Sequence, residues 1–145
     1  MSLFNLFSVS ASGMAAQRAR AEAIVENLAN AETTRTPDGG PYRRRDIILS
    51  PQAQDSPFSA VFQTELDAGS TGVGVAGMVE DSRPPDQRYQ PGHPDADSRG
   101  YVSYPHINPA EEMVDLMSAA RGYQANVAAI SAAKDMVARS IDLMR

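Results

Sequence analysis

The sequence has no cysteine, which removes disulfides and thiolate metal sites and leaves both reducing and oxidising compartments open. It also has no basic arm. Its 13 Lys and Arg are interspersed with 18 Asp and Glu, the net charge is −5, and Lys134 is the single lysine. With no cationic run to neutralise phosphates, nucleic acid is not an expected partner. No window approaches the roughly 18 apolar residues of a membrane span, so direct membrane insertion is not expected either. The opening residues, Met1-Ser2-Leu3-Phe4-Asn5-Leu6-Phe7, lack the positive n-region and long apolar stretch of a cleaved secretory signal. By these rules alone the chain reads as a soluble, cytoplasmic protein with one domain's worth of residues.

Proline is missing from both ends. All ten prolines lie between Pro37 and Pro109, and eight of the ten glycines between Gly39 and Gly100. Proline breaks helix interiors, so the ends are free to be continuous helices and the middle is not. The division predicted is 1–32 helical, 33–107 a small β-rich, loop-rich region, and 108–145 helical, an α+β protein. Much of the 42% hydrophobic content is alanine, which favours closely packed helices over a thick core.

The ends carry a seven-residue repeat. At its first position stand Phe4, Ala11, Arg18 and Val25, then Met113, Ala120, Val127, Lys134 and Ile141. At its second stand Phe7, Met14, Ala21 and Leu28, then Leu116, Tyr123, Ile130, Val137 and Met144. A period of 3.5 sustained this long predicts a coiled-coil assembly seam, to be buried against the other end of the chain, neighbouring copies, or both. The first helix is expected to begin near Ser8 or Ser10 and end near Asn30. The second has a start signal in Asn108 as N-cap, Pro109 in the first turn and Glu111 at the capping-box position. Arg18 and Lys134 interrupt the seam. A long cation there either snorkels from an open seam or fixes register and partner choice. Between the helices, Arg45–Leu49, Gly72–Val79 and Tyr101–Tyr104 read as short strands.

Several patterns suggest chemistry and fall short of it. His93-x-Asp95-x-Asp97 with His106 has metal-compatible spacing, yet Pro91, Gly92 and Pro94 make this a rigid turn whose carboxylates bond the local backbone. Ser98, His93 and Asp95 come without a nucleophile elbow or oxyanion-hole motif. Gly69, Gly72, Gly74 and Gly77 lack the Gly-Lys-Ser/Thr that completes a phosphate loop. Neither a cofactor nor an enzymatic activity is expected.

The stretch Asn27-Leu28-Ala29-Asn30-Ala31 followed by Thr33-Thr34-Arg35-Thr36 resembles the signature that ends the first helix in the flagellar rod and hook family. Gly39-Gly40-Pro41-Tyr42-Arg43-Arg44, the loop from Tyr89 through Asp97 with Gly100-Tyr101-Val102, and Glu112–Met117 with Tyr123–Val127 are similar to the proximal rod proteins of that family. Glu32, Gly122 and Pro109 depart from the family pattern, Gly122 as a possible bend.

The resemblance implies paired N- and C-terminal helices, antiparallel and coiled-coil-like, around an axial channel. Asn27, Asn30, Thr33 and Thr34 would hold the turn that leads the chain outwards. Arg43, Arg44 and Arg45, flanked by Asp38 and Asp46, are either a solvated or salt-bridged surface or a contact with an acidic surface of a neighbouring subunit; His93, Asp95 and Asp97 are further candidate contacts. It also implies export by the flagellar type III apparatus, residence in the basal-body rod crossing the periplasm, and a set of partners. These are other copies of the chain, other proximal and distal rod proteins, the adaptor between rod and MS ring, and the export apparatus. That localisation replaces the cytoplasmic one. The rival reading is a cytoplasmic coiled-coil adaptor forming a discrete oligomer.

Overall fold

The computed structural model of the chain describes residues 3–53 and 71–143. Met1, Gly69 and Met144 lie outside the described residues, as does the side chain of Phe4. The elements in order are α1 (Leu3–Ala29), β1 (Arg45–Ala53), β2 (Thr71–Glu80), β3 (Asp86–Tyr89), β4 (Tyr101–Tyr104) and α2 (Pro109–Asp142). Long helices at both ends with small sheets between them make this an α+β protein.

Helix α1 starts earlier than Ser8. The hydroxyls of Ser8 and Ser12 do not cap a helix; they bond back to the carbonyls of Asn5 (3.0 Å) and Val9 (2.8 Å) from inside it. The helix ends as its sequence suggests. The Asn30 side chain donates to the Glu26 carbonyl at 2.9 Å, and Thr33 donates to Asn30 Oδ1 at 3.2 Å. At the start of α2, Asn108 Oδ1 accepts the Ala110 N–H at 3.1 Å. The Glu111 carboxylate makes no return bond, so the cap is a single one.

Among the described residues there are two two-stranded sheets, β1 with β2 and β3 with β4. Strand β1 runs past Leu49 through Pro51, as a strand with a free edge allows. Strand β3, Asp-Gln-Arg-Tyr, has no apolar alternation to announce it. It exists through its partner: antiparallel register sets Asp86 opposite Tyr104 and Tyr89 opposite Tyr101, and the two tyrosine rings meet edge-on at 5.4 Å. Arg88 lies over the Tyr104 ring at 4.6 Å. Gly100 closes the loop between these strands at φ 82°, a conformation side chains disfavour, and a Cβ there would stand 2.9 Å from the Tyr89 ring.

The chain divides into two compact units. One combines Met1–Ala19, Leu49–Ala76 and Ala119–Arg145; the other combines Arg20–Ile48 and Gly77–Ser118. In the first, the buried residues are small: Ser10, Ala16, Gly72, Ala119 and Ala133. Gly13 lies against Asn126 and Gly122 against Gln17, so α1 and α2 run in opposite directions there with a glycine on each helix. Gly122 is therefore a point of close approach inside a continuous helix and not a break in it. The second unit has the thicker core, with Ile24, Tyr42, Val102, Tyr104, Pro105 and Ile107 buried.

Candidate assembly site

In the second unit the helix-end residues meet the arginine run. Asn27 sits on the last turns of α1 and is fully buried. Its Oδ1 accepts the Arg45 N–H at 2.8 Å and the Tyr42 hydroxyl at 3.2 Å. Its Nδ2 donates to the Arg45 carbonyl at 2.9 Å and to Glu112 Oε2 at 3.4 Å. One amide thus serves β1 as an extra rung of sheet while reaching the first turns of α2. Burial of this polar group is possible because each of its bonding positions is used.

Glu112, on α2, is buried as well. It accepts Arg44 Nε at 2.5 Å, and the same guanidinium reaches Asp46 and, at 4.0 Å, Asp115. Burial is the largest influence on the Arg44 pKa and works to lower it, but the hydrogen bonds and charges of Glu112 and Asp46 together outweigh it and hold the guanidinium above its ordinary value. Arg45 pairs with Glu26 at 2.8 Å and Glu80 at 3.4 Å. Burial, then the charge of Glu26, pushes the Tyr42 hydroxyl up. Arg20 and Asp115 add a helix-to-helix pair at 3.4 Å.

The turn residues connect to the loop between β3 and β4. Thr34 donates to Asp95 Oδ2 at 2.8 Å, and Arg35 pairs with the same carboxylate at 3.6 Å. His93 Nδ1 accepts the Asp95 N–H, and Asp97 Oδ1 accepts the N–H groups of Arg99 and Tyr101, both at 2.8 Å. The Tyr101 bond leads in holding the Asp97 carboxyl below its ordinary range. His93 and Asp97 are turn-forming groups with local partners, whereas the Asp95 carboxylate is held from Thr34 and Arg35, and no cluster suited to a metal occurs among the described residues. His106 stands apart, paired with Asp86 at 2.8 Å.

The seam residues divide in two. Second-position residues Phe7, Met14, Leu28, Leu116, Ile130 and Val137 are half-buried, and Tyr123 is exposed. First-position residues lie in the open: Arg18, Val25 and Lys134 are exposed, as are Met113, Val127 and Ile141 at 54%, 42% and 54%. The buried line of α2 runs one residue earlier, through Glu112, Ala119 and Ala133, with Asn126 half-buried between them. Sequence periodicity marks large apolar residues as the inward line. Here the closest approaches fall on Gly, Ala and Asn, whose small size brings the backbones together.

Residues 98–143 match the family described as flagellar basal body rod FlgEFG protein C-terminal. The whole chain is 41% identical to the flagellar basal-body rod protein FlgC of Borreliella burgdorferi, covering 100% of this chain and 99% of that one. The chain belongs to the FlgC family of flagellar basal-body rod proteins. FlgC of Salmonella typhimurium is 37% identical over 99% of this chain and 98% of its own, and FlgC of Bacillus subtilis 37% over 99% of each. FlgC proteins are structural components of the basal-body rod and not enzymes, which is where the four sequence motifs had pointed. The compositional reading of a cytoplasmic protein is thereby corrected.

Proposed function

We propose that this chain is a subunit of the proximal rod, carried out by the flagellar type III apparatus and polymerised through its terminal helices. In this reading residues 1–32 and 108–145 build the tube as a coiled-coil-like pair, and residues 33–107 choose the neighbours. Those neighbours are other copies, other rod proteins and the adaptor to the MS ring.

The observation that carries the reading is the exposed stripe Met113, Val127 and Ile141, spaced at multiples of seven along α2. Large apolar residues at coiled-coil spacing and half open to solvent gain by being covered, by roughly 25 cal/mol for each Å² removed from water. Ordering of the helical ends is coupled to that covering, which confines polymerisation to the growing tip. The test is Val127→Asp. Because Val127 is exposed, the free chain should keep its melting temperature, and basal bodies should lack the chain. Normal incorporation and swimming in that strain would show that the stripe is not a subunit contact.

A further inference from the structure

Arginines 43, 44 and 45 are consecutive but are not equivalent. Arg44 is committed to Glu112, Asp46 and Asp115, and Arg45 to Glu26 and Glu80. Arg43 is exposed and has no ion pair or hydrogen bond among the described residues. It lines a cavity of about 140 Å³ in the second unit together with Gly40, Pro41, Arg83 and His106. That space exceeds what one water needs and admits the end of a side chain.

The lining is cationic. Its one carboxylate, Asp81, is already engaged by Arg83 through its side chain and backbone N–H at 2.7 and 2.9 Å. A neighbouring cavity that shares Arg44, Arg83 and His106 is bordered instead by Asp86, Glu111 and Glu112 and repels an anion. The two hollows therefore differ in sign, and only the first has an arginine left over.

We propose that this cavity receives a carboxylate side chain, Asp or Glu, presented by a neighbouring rod subunit, with Arg43 as its principal donor. A guanidinium offers a planar pair of N–H groups matched to a carboxylate, and partial enclosure strengthens the bond relative to open water. This rests on the rod-subunit reading and narrows it to one contact. It also assigns different duties to the three arginines: two hold the fold and one faces outwards.

The sequence provides a clean test, because Lys134 is the only lysine. In a full-length chain carrying Lys134→Arg and Arg43→Lys, the primary amine at position 43 is the one side-chain amine. Carbodiimide treatment of purified basal bodies should join it by an amide bond to an Asp or Glu of an adjacent subunit, identified by mass spectrometry. The Lys134→Arg chain without the second substitution should give no such adduct. Arg43→Glu should leave the monomer's melting temperature unchanged and abolish rod incorporation. The proposal is overturned if position 43 couples to nothing, or only to carboxylates of its own chain, in basal bodies that contain the protein. Absence of the unsubstituted chain from basal bodies would sink the rod reading itself, and this inference with it.

Discussion

The amide of Asn27 pairs with both the N–H and the C=O of Arg45, so a residue of α1 completes the hydrogen bonding of a strand that starts 18 positions later. The same amide touches Tyr42 and Glu112, which ties the end of one helix to the start of the other. This is the physical content of the Asn-Leu-Ala-Asn motif: the first Asn holds the sheet and the second holds the turn. In Asn27→Leu the Arg45 N–H and C=O lose their partner in a dry environment. The expected loss is about 2–4 kcal/mol of unfolding free energy, measured by urea denaturation of the full chain. Asn27→Asp should fare no better, because it sets a second carboxylate against Glu112. A stability within about 0.5 kcal/mol of the parent, the range of an ordinary surface change, would remove Asn27 from this role.

Gly13 and Gly122 look alike in sequence and should respond differently to alanine. Helix propensity alone gives each substitution a gain of about 1 kcal/mol. At Gly122 the new Cβ meets the flexible end of Gln17 at 3.0 Å, which can swing aside, so the gain should survive in part. At Gly13 it meets Asn126 Oδ1 at 2.9 Å, and that amide is anchored by its bond to the Gly122 carbonyl. Gly13→Ala should therefore forfeit the gain and weaken hydrogen-exchange protection along the first half of α1. Equal protection in the two variants would mean that Asn126 is not held where this packing requires.

Much of this was legible in the chain itself, for definable reasons. Proline placement bounded the helices, and Asn108-Pro109 marked the start of α2 to the residue. The heptad reading set Met113, Val127 and Ile141 on an inward seam, whereas in the chain these are exposed and the buried line of α2 runs one residue earlier, from Glu112. Hydrophobicity patterns weight size, whereas close approach rewards Gly and Ala, and a buried Glu112 is unreadable without Arg44 and Asn27 beside it. Strand β3 was invisible for a related reason. Its four residues have no local preference for a strand, and their pairing with Tyr101–Tyr104 is a tertiary event. The loop of His93, Asp95 and Asp97 was correctly read as a turn. Nothing local, however, indicated that Thr34, 61 positions earlier, would bond Asp95.

Acid should expose the contribution of the β2–β3 turn. Asp81 is held down to about 2, first by the side-chain hydrogen bond from Arg83 and then by the Arg83 backbone N–H. Its carboxyl binds protons more weakly in the folded chain than in the unfolded one, where the ordinary value is near 3.8. The sign follows from linkage: Asp81 stabilises the fold fully above about pH 4, and the contribution fades as the pH falls towards 2. Asp97 works in the same direction through its turn bonds, without a counterpart that favours acid among the shifted groups. In Asp81→Asn, the deficit against the parent should be present at neutral pH and shrink steadily below about pH 4. Parallel melting-temperature curves for the two proteins from pH 7 down to pH 2 would show that the Asp81–Arg83 contact does not persist in solution.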